Sequence, residues 1–309
     1  MSKQNDVSTA EIPLWPGPRQ STPHTPNNTL HAEISALSHT GKVRTNNEDH
    51  YLVTRVGRSL HTLMTNLPEG LVPDRSDTTG FTMVVADGMG GHAAGEVASR
   101  MAIGTLVEIV LDVPDWIMNL DGDNAERVKQ RVETYYRKVD QTLAEHARAD
   151  KSLSGMGTTM TIAYSIGADL FLAHVGDTRC YLFHDGKLQQ LTRDQTQAQM
   201  LVDAGLLRRE EMATSRLRSV LTNALGCGDP ALEVEMQRLH LGAGDRLLLC
   251  SDGLTDMVDD PTIAGVLSNP RGPAAACRAL VDLALEHGGH DNVTVIVADY
   301  VFDSVPERA

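Results

Sequence analysis

The stretch RCYLFHDGKLQQL, residues 179–191, decides the fold. Two apolar runs flank Asp185-Gly186, a dipeptide typical of the tight turn in a β-hairpin. The two apolar runs that precede this stretch, 158–165 and 170–175, are joined almost as closely. Such short connections allow only antiparallel pairing, because parallel strands need a long crossover connection. The stretch therefore predicts an antiparallel sheet.

Long amphipathic helices are predicted on both sides of these strands in the chain. Apolar and small residues recur at helical spacing over 94–109 and again between residues 124 and 150. Shorter helices are predicted over 195–204 and 273–287. Antiparallel sheets with helices before and after them predict an α+β sandwich, in which the helices cover the sheets.

One folded domain is the simplest division of the 309 residues. Residues 1–29 hold five prolines among Ser, Thr and Asn and have little to bury, which predicts a disordered N-terminal tail. The domain is then expected over 30–303, because neither an internal repeat nor a Pro- or Ser-rich linker divides that range. Residues 304–309 are left as a short C-terminal tail.

Composition limits the classes of partner and the compartment. The formal net charge of −14 argues against nucleic acid and against an anionic membrane surface, since both are negatively charged. No apolar run approaches the length of a membrane span, and the N-terminal segment lacks the apolar core of a secretory signal. We therefore expect a cytoplasmic protein, in which the four cysteines are reduced and structural.

The stretch VVADGMGGHAAGE, residues 84–96, offers two interpretations. Gly88, Gly90 and Ala93 satisfy the relaxed G-x-G-x-x-G/A pattern that binds a dinucleotide pyrophosphate. Asp87 opposes that interpretation, because a carboxylate at an anion site would repel the phosphate. A dinucleotide-binding domain would also need parallel strand-helix-strand units, which the closely joined strands do not predict.

Carboxylates recur at the ends of predicted strands. Asp and Asn are common turn residues, so any one of these positions is explained by turn formation alone. Five together would repel one another unless cations compensate them, and hard oxygen ligands without a His-Cys set favour Mg²⁺ or Mn²⁺. The five stretches are Glu48-Asp49 in VRTNNEDHYLV, Asp87, Asp177 in LFLAHVGDTR, Asp252 in RLLLCSDGL, and Asp291 before the run that begins at Val293.

One basic residue lies close to the first of these stretches. Arg44 precedes Glu48 by four positions, where a planar guanidinium could hold two oxygens of a phosphate group. An ordinary surface ion pair explains the same spacing equally well. The spacing alone leaves both interpretations open.

Seven stretches together make the chain resemble the metal-dependent protein serine/threonine phosphatases, the protein phosphatase 2C family, in its compact bacterial form. They follow the order of the family and span about 255 residues, so the set is far more specific than any single stretch. The stretches are VRTNNED (43–49), VVADGMGGHAAGE (84–96), GMGTTMTIAY (155–164), HVGDTRCYLF (174–183), LTRDQT (191–196), LCSDGLTDMV (249–258) and GGHDNVTVIVA (288–298).

The resemblance implies a four-layer α-β-β-α sandwich with a binuclear Mn²⁺ or Mg²⁺ site between two antiparallel sheets. Asp87 matches the aspartate that bridges both ions, and Gly88 matches the residue whose carbonyl completes one coordination sphere. Asp252 and Asp291 match ligands of the first ion.

The remaining acidic residues match secondary positions of the family's site. Glu48 and Asp49 match the acidic pair that supports the second ion, directly or through water. Asp177, with Asp252, matches a weaker third-metal site found in many members. Arg44 matches the arginine that binds phosphate.

The function implied by the resemblance is hydrolysis of phosphoserine and phosphothreonine in proteins. A water shared by the two ions would attack phosphorus directly, and no cysteine here begins the C-x5-R loop of the cysteine-based phosphatases. In bacteria such enzymes commonly oppose Ser/Thr kinases, so a cognate kinase is a natural partner. The alternative is a pseudophosphatase that binds phosphoproteins without turnover.

The chain departs from the family pattern in three places. Met89 stands where some relatives carry a histidine, and His92 nearby is expected on the first helical turn in a structural role. The insert 56–79 is longer than this connection usually is, and is a candidate for tuning substrate choice. Residues 195–225 correspond to the flap beside the active site of the family. The sequence ATSRLRSVLTNALG at the end of this segment differs from the usual His-Pro pattern.

Overall fold

The computed structural model describes residues 30–68, 70–90, 94–112, 125–212, 214–228 and 231–302. The predictions for the N-terminal tail, the C-terminal tail and His92 lie outside these ranges. None of the helices in these ranges is both long and apolar enough to cross a bilayer.

The first sheet has five strands, all paired antiparallel. Two of them form the predicted hairpin, whose turn residues Asp185 and Gly186 both have positive φ angles, 47° and 75°. That geometry matches the right-handed twist of the flanking strands, which explains the preference for Asp-Gly. The strands are β1 (Leu30–His39), β7 (Arg179–His184), β8 (Lys187–Gln190), β10 (Arg246–Cys250) and β11 (Val293–Phe302), in the order β1-β11-β10-β7-β8.

The second sheet has six strands, and every pairing among its described strands is also antiparallel. This excludes the parallel crossover unit on which a dinucleotide-binding domain depends. The strands are β2 (Asp49–His61), β3 (Arg75–Met89), β4 (Gly157–Thr158), β5 (Met160–Ile166), β6 (Asp169–Val175) and β9 (Glu235–His240), in the order β2-β3-β5-β6-β9, with β4 on the end of β3.

Helices cover the outer faces of both sheets, as the sequence predicts. The core contains one cluster between the second sheet and the first two helices, one between the first sheet and the last helices, and a third between the sheets. The helices are α1 (Ala94–Asp112), α2 (Ala125–Ala149), α3 (Gln197–Asp203), α4 (Arg209–Met212), α5 (Asp252–Thr255), α6 (Asp260–Leu267) and α7 (Pro273–Glu286). The four-layer α+β sandwich is thereby confirmed.

Strand β3 shows why its sequence is apolar at consecutive positions. Val84 and Ala86 pack in the cluster under α1 and α2, whereas Met83 and Val85 pack in the cluster between the sheets. Alternate side chains of a strand point to opposite faces, so a strand covered on both faces needs apolar residues throughout. The strand leads to Asp87 through a fully buried segment.

The insert 56–79 lengthens β2 and β3 rather than forming a loop beside the carboxylates. The two strands stay paired as far as His61 and Arg75, while β5 pairs with β3 only from Gly80 onward. Asp49 lies at the opposite end of β2, about 40 Å away at the usual rise of a strand. The tip of this hairpin therefore lies far from the predicted site.

A buried histidine in β6 gives the fold a pH-dependent stability. His174 is fully buried, and its Nδ1 lies 2.8 Å from Thr161 Oγ1. Burial lowers its pKa from the usual 6.5, although Glu235 and Asp194 oppose that shift. The imidazole is neutral in the folded state, so protonation below about pH 6.5 favours the unfolded chain.

We expect the free energy of unfolding to fall by about 1 kcal/mol more for the parent than for His174→Asn between pH 7.5 and 5.5. Urea denaturation at both pH values, in EDTA, measures this difference, and the comparison cancels the other groups that titrate there. The variant with the exposed His61 replaced by Asn should behave as the parent. Equal pH dependence in the parent and His174→Asn would contradict the expectation.

Candidate metal centre

Two aspartates face each other at one end of the second sheet. Asp49 is the first residue of β2, and its partner in the β2-β3 register is Asp87. Strand β3 continues for two residues beyond Asp87, because Gly88 and Met89 pair with β4. Asp87 therefore lies inside the strand, and the prediction that the strand ends at this aspartate was wrong by two residues.

The other sheet contributes two of the remaining aspartates. Asp252 begins α5 two residues after β10, and Asp291 lies two residues before β11. Asp177 follows β6 of the second sheet by two residues. All four other aspartates act electrostatically on Asp87, so the structure brings the five predicted aspartates of both sheets together.

The aspartates raise one another's pKa values. Burial, followed by the charge of Asp49, places the pKa of Asp87 well above its usual range, and burial followed by Asp177 does the same for Asp252. Asp49 is only 4% exposed, and burial raises its pKa to about 6. Burial and the nearby Asp194 raise the pKa of Asp177 to about 7. Arg44 pairs with Asp291, and Arg179 opposes the shift at Asp177. The pKa values of Asp49, Asp87 and Asp252 stay raised, so the basic side chains of the described residues do not compensate the cluster fully.

Hydroxyl groups hold two of these aspartates in place. Ser251 Oγ donates a 2.6 Å hydrogen bond to Asp49 Oδ2. Thr159 binds both backbone groups of Asp87: its Oγ1 accepts from Asp87 N at 3.0 Å, and its N donates to Asp87 O at 2.9 Å. Thr158 Oγ1 donates to the same carbonyl at 2.8 Å. The sequence alone indicates none of these three roles, although Thr158-Thr159 stands inside one of the seven stretches.

Two glycines allow Glu48 and the start of α1 to approach Asp87. A Cβ on Gly88 would lie 2.1 Å from the carbonyl oxygen of Gly95, and one on Gly95 would lie 2.6 Å from Glu48 Oε2. Gly88 does not have a positive φ angle. The close approach of neighbouring backbone, rather than conformational freedom, thus explains the glycine at 88. Coordination through its carbonyl stays a prediction.

Arg44 binds one of the predicted ligands. Its Nη2 lies 2.7 Å from Asp291 Oδ2, and both side chains are exposed. Glu48 lies near this pair, and burial raises its pKa. Asn292 fixes the arrangement, because its Oδ1 accepts from Glu48 N at 2.7 Å while its amide group donates to the carbonyl of Asn46. This asparagine is a fourth residue whose role the sequence alone does not indicate.

The oxygen atoms of this cluster suit a hard divalent cation. Asp49 Oδ1 is buried without a hydrogen-bond partner, and the charge of Asp291 adds to the raised pKa of this carboxyl group, so a cation would suit this oxygen. Within the described ranges, no three His, Cys, Asp or Glu side chains are arranged as the ligands of a single ion. The chemistry of the residues fits Mn²⁺ or Mg²⁺, but their side chains would need to rearrange to bind one.

A cleft of about 430 Å³ extends from Asp177 and Asp252 to the flap, residues 195–225. Arg209 and Arg218 of the flap line one side of it, and Arg218 Nη2 binds Asp256 Oδ2 at 2.7 Å. The cleft thus places basic side chains next to the aspartates, where a phosphorylated segment could be held.

Comparison with known proteins identifies the family. Residues 74–278 match the sequence profile of the family described as Protein phosphatase 2C. The chain belongs to the protein phosphatase 2C family. This match confirms the resemblance that the seven stretches indicate.

Two bacterial phosphatases are among the relatives of this protein phosphatase 2C family member. It is 42% identical over 219 residues to the serine/threonine protein phosphatase PstP of Mycobacterium tuberculosis, a match of 71% of this chain but only 40% of that protein. It is 30% identical over 273 residues to the protein phosphatase PhpP of Streptococcus pneumoniae, a match of 85% of this chain and 95% of that one.

Solved structures of the family share the fold. The crystal structure of the Mycobacterium tuberculosis phosphatase PstP/Ppp superimposes with a TM-score of 0.69 and 36% identity, over 87% of this chain and 98% of that one. The catalytic domain of PstP in complex with two manganese ions gives a TM-score of 0.67 and 37% identity, over 88% of this chain and all of that one. The two-sheet architecture is therefore that of the protein phosphatase 2C family.

Proposed function

We propose that this chain is a metal-dependent protein serine/threonine phosphatase. The observation that carries the proposal is the cluster of five aspartates around Asp87, whose mutual repulsion calls for divalent cations. The relatives support it, because PstP is named as a serine/threonine protein phosphatase and its catalytic domain was solved with two manganese ions.

The cation ligands are proposed from the same cluster. Asp87 would contact both ions, with Asp252 and Asp291 on the first and with Glu48 and Asp49 supporting the second. The carbonyl of Gly88 and, for a third ion, Asp177 complete the set. These assignments agree with the unpaired oxygen of Asp49 and with the raised pKa values, since a bound cation would relieve the burial and repulsion that raise them.

Two divalent cations would supply positive charge that activates water and stabilises the charge that develops on phosphorus. The protein's own residues fix where that chemistry happens. Ser251 orients Asp49, and Thr159 holds the backbone of Asp87 through both its N and its O. Arg44 would exchange its ion pair with Asp291 for the phosphate oxygens of the substrate, as a planar guanidinium can bind two of them.

The substrate class is a protein that carries phosphoserine or phosphothreonine, and a cognate Ser/Thr kinase is a candidate partner. Phosphate release from a phosphothreonine peptide should require Mn²⁺ or Mg²⁺ and stop in EDTA. Turnover with cations would also exclude the pseudophosphatase alternative. Hydrolysis that persists at full rate in EDTA would show that the proposal is wrong.

Replacing Arg44 should weaken the handling of phosphate. We expect Arg44→Met to lower kcat/KM for the phosphothreonine peptide about 100-fold and Arg44→Lys less, because lysine keeps the charge but not the two-pronged geometry. Steady-state kinetics in Mn²⁺ measure the change. The exposed Lys42→Met is the matched control, and an equal loss in that variant would indicate a general effect of surface charge instead.

A further inference from the structure

Gln195 lies where the flap meets the loop that carries Asp177. It precedes α3 at the N-terminal end of the flap. Its side-chain Oε1 accepts two hydrogen bonds, from Gly176 N at 2.7 Å and from Asn223 Nδ2 at 2.9 Å. One oxygen thus joins the residue before Asp177 to the returning end of the flap.

The backbone of Gln195 makes the same two connections. Its N donates to Gly176 O at 2.8 Å, and its O accepts from Thr222 N at 2.8 Å. Both peptide groups of Gly176 are therefore bound by a single residue. A further hydrogen bond joins the two ends of the flap, since Gln197 N donates to Val220 O at 2.8 Å.

Gly176 packs against Thr159, which binds Asp87 at the centre of the aspartate cluster. Its φ angle is +111°, and a Cβ there would lie 2.5 Å from Thr159 Cγ2, so only glycine fits. Thr159 in turn binds the N and O of Asp87. A continuous set of contacts thus runs from Asp87 through Thr159, Gly176 and Gln195 to the base of the flap.

We propose that Gln195 is a positioning residue, whose side-chain oxygen fixes the base of the flap to the Asp177 loop so that the two move together. The link to catalysis rests on the proposed phosphatase function, but the mechanical coupling does not. The flap lines the cleft beside Asp177 and Asp252, so its position relative to Asp177 sets the shape of that cleft.

Hydrogen exchange on the metal-free protein tests the coupling independently of activity. Gln195→Met keeps the size of the side chain but removes the acceptor, whereas Gln195→Glu keeps an acceptor oxygen. We expect Gln195→Met to speed exchange about fivefold at Gly176 and over residues 217–222, the change that loss of one ordinary hydrogen bond gives. Gln195→Glu should stay near the parent, as should the exposed Gln189→Met on β8.

Three results would overturn the proposal. One is unchanged exchange in Gln195→Met, and another is faster exchange at Gly176 alone, which would reduce Gln195 to a local acceptor. The third is a Gln195→Glu variant that behaves as Gln195→Met. If Gln195→Met does not fold, Asn223→Leu replaces it, because that change breaks the same bond from the flap side and should speed exchange at Gly176 as well.

Steady-state kinetics test whether the coupling between the flap and the Asp177 loop matters more for a large substrate than for a small one. In Mn²⁺, kcat/KM for a phosphothreonine peptide should fall about tenfold in Gln195→Met, against less than about threefold for p-nitrophenyl phosphate, which is too small to depend on the flap. An equal loss for both substrates would contradict a role in positioning the flap. A parent without turnover would refute the phosphatase function and leave the exchange result standing.

Discussion

Asp252→Asn is expected to lower Mn²⁺-dependent hydrolysis at least about 1,000-fold, because a proposed ligand of the cation is lost. The same substitution should stabilise the metal-free protein by about 1 kcal/mol or more, which corresponds to about 2–4 °C in Tm for a domain of this size. A loss of activity together with a gain in stability separates a role in binding cations from a role in folding.

The gain in stability follows from the neighbours of Asp252. Burial raises the pKa of Asp252 well above the usual range, and the negative charge of Asp177 raises it further. Smaller contributions come from the charges of three other aspartates, Asp256, Asp291 and Asp49. A carboxyl group whose pKa is raised in the folded state destabilises the folded protein at any pH above its pKa in the unfolded chain. The reason is that ionisation of the group is costly only in the folded state. Asparagine keeps the shape and removes the charge.

Asp282→Asn is the matched control, since Asp282 is an exposed aspartate of α7 and is none of the five aspartates of the cluster. It should leave both activity and Tm close to the parent values. Thermal denaturation in EDTA and phosphate release in Mn²⁺ measure the two effects. An Asp252→Asn protein that keeps its activity, or loses stability in EDTA, would refute the role of this aspartate.

The sequence predicts those parts of the fold and site that depend on local signals. The hairpin at Asp185-Gly186 follows from turn chemistry, and the aspartates follow from their position beside apolar strands. The two interpretations of VVADGMGGHAAGE are separated by the observed pairing of β3 with β2 and β5, which is antiparallel on both sides.

Contacts between distant parts of the chain could not be predicted in the same way. Ser251 and Asp49 are 202 residues apart, and Arg44 and Asp291 are 247 apart, so no local pattern indicates either hydrogen bond. The role of Gln195 is missed for a related reason, because its partners Gly176 and Asn223 lie 19 and 28 residues away, beyond the reach of a local pattern. Such roles depend on register and packing, which a single sequence does not specify.

Mn²⁺ is expected to raise the Tm of the metal-free protein by about 5 °C or more at pH 7.5, since a ligand at 100 times its Kd adds about 2.7 kcal/mol of stability. The rise should be smaller at pH 5.5, where protons compete with the cation for the same carboxylates. Thermal denaturation at both pH values, with and without Mn²⁺, measures this. Asp282→Asn should show the parent's rise.

The comparison with Asp252→Asn makes this test decisive for the aspartate cluster. In EDTA the variant should have the higher Tm, because it carries one repelling carboxylate fewer. In Mn²⁺ the parent should have the higher Tm, because only the parent has the full set of ligands. Stabilisation by Mn²⁺ binding elsewhere on an acidic surface would raise both proteins equally and leave their order unchanged. An inversion of the order therefore ties the cation to Asp252, and its absence would show that the buried carboxylates are not held for a cation.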